Sequence, residues 1–140
     1  MSNDSLLSAA RASLDAYNAK DWDAVRASVT EDCVYEETAT HRRMEGVDAI
    51  LEGWQGWGTA MPDSAATCES MYAFEGGAVM ELTWRGTHSG PMQGPEGEIP
   101  ATGKSFEMRG CQVIEMEGDK AKSIRHYFDI ATMMTQLGLA

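Results

Sequence analysis

The sequence predicts an α+β fold in which helices come first and a curved, mostly antiparallel sheet follows. Three observations carry this. Apolar residues recur at helical spacing only before Met61-Pro62, the pattern alternates from there onward, and turn signals at Glu75-Gly-Gly77 and Gly118-Asp119 divide the alternating part into two hairpins. Helices followed by a run of strands give an α+β arrangement rather than alternating βαβ units. A sheet wrapped round its helices leaves a hollow, and small-molecule sites favour such concave, mostly apolar cavities. The 140 residues suit one domain with one core.

Asn3, Asp4 and Ser5 offer N-caps for a first helix whose apolar face is Leu7, Ala10, Leu14 and Tyr17. Asn18-Ala-Lys-Asp21 interrupts it, and Trp22, Val25 and Val29 mark a second, shorter helix that Glu31-Asp32 ends. Cys33-Val-Tyr-Glu-Glu37 reads as a strand, polar residues run from Thr38 to Arg43, and Gly46 closes a hairpin-like piece. Val47, Ile50, Leu51, Trp54 and Trp57 then follow at helical steps, with Gly53, Gly56 and Gly58 weakening the helix toward its end. Bulky indoles beside glycines predict a wall that needs close approach. The hairpins span Ala65 to His88 and Ser105 to Phe128, and the second carries Met108, Gly110, Gln112, Ile114 and Met116 on one face. Between them, the prolines and glycines of Ser89 to Pro100 predict a long loop without regular structure, a possible lid.

Composition narrows the function. The net charge of -11, with Lys and Arg scattered, repels a phosphate backbone and anionic lipid, so neither nucleic acid nor membrane is an expected partner. No apolar run approaches bilayer length, and Met1-Ser-Asn-Asp lacks the features of a secretion signal, so a cytoplasmic location is expected. Cys33, Cys68 and Cys111 are unpatterned and read as small core residues. No metal site is expected, because His41, His88 and His126 form no recognised ligand pair. No Gly-rich phosphate loop or Ser/Cys nucleophile signature appears, so no cofactor is expected. Apolar residues on both faces of the strands, Met71 beside Tyr72 and Val79 beside Met80, predict a covered outer face, most simply in a homodimer.

An acid in the aromatic stretch Tyr127-Phe-Asp129-Ile is an expensive choice for ordinary packing, which makes Asp129 the first candidate for a catalytic acid/base. Burial there would raise its affinity for protons toward neutral pH. The alternative is an N-cap for the tail Ile130 to Leu137. His88, on the same strand face as Trp84, is the second catalytic candidate, as a proton relay or enolate donor, or else a tether for the loop. Alternation places Arg125, Tyr127 and Asp129 on one face and Ile124, His126 and Phe128 on the other, so an inward Asp129 would bring Tyr127 with it. Tyr35, Glu37, Trp54, Trp57, Trp84, Gln112, Tyr127 and His126 are the candidate substrate contacts.

Trp84-Arg-Gly-Thr-His-Ser-Gly90, Pro100-Ala-Thr-Gly-Lys104, Tyr127-Phe-Asp129 and Gln136-Leu-Gly138, with Asn18-Ala-Lys-Asp21 and the Gly46 helix start, resemble the SnoaL-like polyketide (ester) cyclases of the nuclear transport factor 2-like superfamily. The resemblance covers nearly the whole chain. It implies a cone-shaped α+β barrel whose pocket is capped by the N-terminal helices. It also implies a cyclase in which the residue matching Asp129 acts as acid and base in an intramolecular aldol ring closure, without metal or cofactor. The ligand so implied is a small, largely apolar carbonyl compound, such as a polyketide ester. The superfamily also holds isomerases, dehydratases, epoxide hydrolases and plain binding proteins. Glu37 best matches the base of its steroid isomerases, whose tyrosine and aspartate donors are matched here by Ser13 and Gln112.

Overall fold

A computed structural model describes residues 2–94 and 96–140; Met1 and Pro95, with the parts of the predicted N-terminal start and long loop that fall on them, lie outside the described residues. Helix α1 (Asn3–Ala19) is capped by Ser2, whose hydroxyl accepts the Ser5 N–H, one position before the predicted caps. It buries Ala10, Ser13, Leu14 and Tyr17 on one stripe and ends where Lys20 turns left-handed at φ 54°. Asp21 caps α2 (Trp22–Ser28) through the Ala24 N–H. Strand β1 (Val29–Glu37) begins at once, so Glu31-Asp32 lie inside the strand rather than breaking the helix.

Strand β2 (Arg42–Glu45) pairs antiparallel with β1, and Gly46, at φ 91°, leads into α3 (Val47–Ala60). The glycines do not end α3. Gly53 lies under the Met44 thioether, where an added Cβ would overlap Sδ and Cε, so the close approach at this glycine is made by a methionine rather than an indole. Strands β3 (Ala65–Phe74) and β4 (Gly77–Thr87) form the first hairpin, β7 (Ser105–Glu117) and β8 (Lys120–Phe128) the second. The stretch expected to be irregular holds a short antiparallel ribbon, β5 (Met92–Gly94) with β6 (Gly97–Ile99). Pro91 and Pro100 sit just outside its strands, so neither removes a ladder hydrogen bond.

The large sheet has six strands in the order β2-β1-β8-β7-β4-β3. Every neighbouring pair is antiparallel except β1 and β8, which run parallel with Tyr35 opposite Ile124 and Glu37 opposite His126. Register shifts between Cys68 and Ser70 and between Glu115 and Met116 mark bulges, which bend and twist the strands that carry them. The sheet stays open, with β2 and β3 as its edges, so the barrel implied by the resemblance does not close. The Asn18 side chain covers part of the β3 edge, accepting from Ala66 N–H at 3.0 Å and donating to Ala66 C=O at 2.9 Å.

Inward residues Ala78, Met80, Leu82 and Trp84 of β4, Met108, Gln112, Ile114 and Met116 of β7, and Ile124 and His126 of β8 are buried. The outward face carries paired charges such as Arg125 with Glu115 and Arg85 with Glu107. Helix α4 (Ile130–Gln136) drops Met133 into the same interior. All three cysteines are free; Cys33 is buried, which pushes its thiol up to about 12, out of the reactive range. Among the described residues no helix is long and apolar enough to cross a membrane.

Candidate functional site

Between the concave face of the sheet and helices α1, α3 and α4 lies a mostly apolar cavity. Leu14, Tyr17, Trp54, Met61, Trp84, Phe106, Met108 and Met133 supply most of an apolar wall. Of the lining residues only Trp57 and Phe128 are not buried, so the opening lies between them; their rings meet edge to face at 6.4 Å. Tyr17 braces the wall through edge contacts with Trp22, Trp54 and Trp84. Such pairs contribute roughly 1 kcal/mol each beyond area burial, which keeps the aromatic wall in place without a ligand. The Tyr17 hydroxyl meets Ser64 Oγ at 2.6 Å, and burial pushes its ionisation up to about 12, so it stays neutral.

One side of the cavity is polar. Glu37, 1% exposed at the end of β1, accepts hydrogen bonds at Oε2 from the Tyr35 hydroxyl (2.8 Å) and the Trp57 indole N–H (2.8 Å). At Oε1 it accepts from Thr40 (2.8 Å), with Arg42 Nη1 3.8 Å away. Tyr35 and Glu37 share a face because they are two apart in a strand. Beyond Tyr35 stands His126, 5% exposed, with Nδ1 2.8 Å from the Tyr35 hydroxyl and Nε2 accepting the Trp84 indole N–H at 3.2 Å. Burial pulls the imidazole down to about 3 and pushes Tyr35 well above its ordinary value, with the Glu37 charge adding to the latter. Both are therefore neutral at physiological pH. The parallel pairing of β1 with β8 makes this row, because it sets Glu37 opposite His126.

Two further polar atoms face the same space without a partner among the described residues: Ser13 Oγ and Gln112 Oε1. A buried polar atom left unpaired costs roughly 1–3 kcal/mol, so two of them in one apolar cavity are dear as pure structure and useful as ligand contacts.

Of the predicted contacts, Tyr35, Glu37, Trp54, Trp57, Trp84, Gln112 and His126 all line this cavity. Asp129, Tyr127 and His88 do not. Asp129 is exposed and caps α4, accepting from the Thr132 N–H (3.0 Å) and hydroxyl (2.6 Å). Those bonds hold its carboxyl below the ordinary 3.8, the reverse of the rise a buried base would show. Tyr127 stands on the outer face, 41% exposed. The alternation was right but the inward face is the other one, Ile124, His126 and Phe128, since Arg125 and Tyr127 keep their polar ends in water at little cost. His88 is buried outside the cavity wall; its Nδ1 meets Thr102 Oγ1 at 3.1 Å and the Thr102 N–H at 3.3 Å, tethering the chain before β7. Leu14, Tyr17, Met61, Ser64, Phe106, Met108, Phe128 and Met133 also line the cavity, although the sequence reading did not single them out as ligand contacts. For Leu14 and Tyr17 the helical stripe of α1 was the available signal.

A sequence model of the SnoaL-like polyketide cyclases matches residues 8–137. No curated protein sequence matches the chain. Among solved structures, TsrD from Streptomyces laurentii is similar with a TM-score of 0.84 and 20% identity, over 100% of this chain and 99% of that one. IdmH from Streptomyces antibioticus, described as a putative polyketide cyclase, has a TM-score of 0.78 and 22% identity over 94% of this chain and 96% of its own. An epoxide hydrolase of the LEH-like type from M. tuberculosis follows at 0.74 and 20%, over 96% and 90%. At these identities the likeness establishes the fold.

Proposed function

Starting from the fact that the chain belongs to the SnoaL-like polyketide cyclase family, we propose that it performs acid/base chemistry on a small, largely apolar carbonyl compound, with Glu37 as the base. The observation that carries this is the single carboxyl in the cavity wall, buried just inside the opening and held by Tyr35, Trp57 and Thr40.

The reaction proposed is an intramolecular aldol closure. A Glu37 oxygen takes a proton from the carbon alpha to a carbonyl, and the C–H electron pair moves into the enolate, whose oxygen takes up the negative charge. The Ser13 hydroxyl, unpartnered in the cavity, donates to that oxygen, and Gln112 donates through its side-chain N–H, its unpartnered Oε1 being an acceptor only. The enolate carbon attacks a second carbonyl of the same molecule, forming the C–C bond. The new alkoxide recovers the proton from Glu37, so one carboxyl serves twice and atoms balance. The aromatic wall excludes water and folds the chain of the substrate. Asp129 has no part in this scheme. An epoxide hydrolysis using Arg85, Arg125 and Asp129 is disfavoured, since both arginines are ion-paired on the outer face and Asp129 caps a helix.

The test uses cyclohexanone in deuterium oxide, with label entry at its alpha carbons followed by NMR. Glu37→Gln should slow exchange by about 100-fold or more while Asp129→Asn leaves it unchanged. Equal rates for native protein and Glu37→Gln would remove Glu37 as the base.

A further inference from the structure

We propose that Trp84 is a positioning residue: its indole N–H fixes the tautomer of His126 and, through Tyr35, turns the tyrosine hydroxyl proton onto Glu37. The argument is one of donors and acceptors. An indole N–H donates and never accepts. It lies 3.2 Å from His126 Nε2, so that nitrogen must carry a lone pair. The neutral ring then has its proton on Nδ1, which faces the Tyr35 oxygen at 2.8 Å and donates to it. The Tyr35 hydroxyl has one proton of its own, left to point at Glu37 Oε2, also at 2.8 Å.

The opposite arrangement would set two N–H groups against each other across the Trp84–His126 contact. It would leave both without acceptors in a buried place, a population penalty of roughly tenfold or more. A donor-only group at one end and a carboxyl at the other thus make every hydrogen in the row point the same way. The Trp84 ring is held for this task, because Tyr17 packs on it edge to face at 5.6 Å. The groups facing Glu37 are Tyr35 from its own strand, Thr40 and Arg42 from the adjoining turn and β2, Trp57 from α3, His126 behind Tyr35 from β8, and Tyr17 from α1, whose hydroxyl feels its charge. Of these Tyr35 is the one whose hydrogen has a choice of two acceptors, and Trp84 removes the choice.

The consequence for catalysis rests on Glu37 being the base; the tautomer does not. The experiment therefore has two readouts. Nitrogen-15 NMR of histidine-labelled protein should show His126 as the neutral form protonated at Nδ1. Trp84→Phe should convert it wholly or partly to the form protonated at Nε2. If Trp84→Phe fails to fold, replacement of Trp84 by β-(3-benzothienyl)alanine keeps the ring volume and deletes only the N–H. In the cyclohexanone exchange assay, loss of the indole donor should move the acid limb of the pH profile upward, since the carboxylate loses its claim on the Tyr35 proton. Tyr35→Phe should raise it too, and adding Trp84→Phe to Tyr35→Phe should move it no further. An unchanged Nδ1-protonated signal in the Trp84 variants overturns the proposal. So does a limb that moves equally with Tyr35 absent. A tautomer change with no exchange activity in any form would sink Glu37 as the base and leave the role of Trp84 standing.

Discussion

His126 Nδ1 lies 2.8 Å from the Tyr35 hydroxyl, joining the last strand of the sheet to the first across 91 positions of chain. The bond holds an imidazole neutral in the interior, and this has a cost in acid. Burial lowers the His126 value from 6.5 to about 3, so below pH 6.5 the unfolded chain takes up a proton that the folded one refuses. Stability tied to this group is complete above 6.5 and declines as pH falls toward 3. Between pH 7.5 and pH 5 the unfolding free energy should drop by about 2 kcal/mol on this account. Urea titrations at the two pH values measure the drop, and His126→Gln should flatten it.

Gln112 presents an unpaired carbonyl oxygen to the cavity. Gln112→Met keeps the volume and removes the orphan, so thermal unfolding should show a gain of about 1 kcal/mol. Exchange into cyclohexanone should meanwhile fall by about tenfold or more, because the Gln112 side-chain N–H, the proposed donor to the enolate, goes with it. A variant that loses stability and keeps its rate would place Gln112 among purely structural residues.

Asp129 stabilises α4, and α4 places Met133 in the cavity wall. Asp129→Ala should therefore lower the melting temperature by a few degrees at neutral pH, and differential scanning calorimetry reads this directly. Its carboxyl sits below 3.8 in the folded state, so the cap contributes fully above that value and fades as pH falls through the lower folded one. Native protein and variant should converge in strong acid.

His88 ties the segment before β7 to the end of β4 through Thr102, and its backbone adds bonds to Lys104 and Gly103. Removing the ring leaves a buried gap. His88→Ala should cost about 2–4 kcal/mol in urea unfolding and change the exchange rate of the folded protein by less than about twofold. A large rate loss at unchanged stability would return His88 to the chemistry.

The fold was legible because its periods are clean: helical spacing in α1 and α3, alternation in both hairpins, and glycines at the turns. The parallel partnership of β1 and β8 has no local signal, since pairing of distant strands is decided by the whole sheet. That partnership is what assembles the polar row, so its members could be picked singly from residue type while their order could not. The choice of Asp129 failed for a different reason. Its oddness was judged against its neighbours in sequence, whereas β8 ends at Phe128 and Asp129 belongs to the helix that follows. Comparing whole faces, Ile124, His126 and Phe128 against Arg125 and Tyr127, gives the inward side correctly, because a neutral imidazole is far cheaper to bury than a guanidinium.

The parallel contact between the first strand and the last also sets when the site can exist. Two such strands cannot close as a local hairpin; the chain between them must first be gathered, which makes this a late, slow step of folding. Until β8 arrives, β1 and β7 each show an open edge with apolar residues beside it, and the interior lacks the floor that His126 and Phe128 provide. A chain in which β8 has not yet paired thus has no complete pocket to fill, and the two open edges that invite aggregation close with the same strand that completes the site.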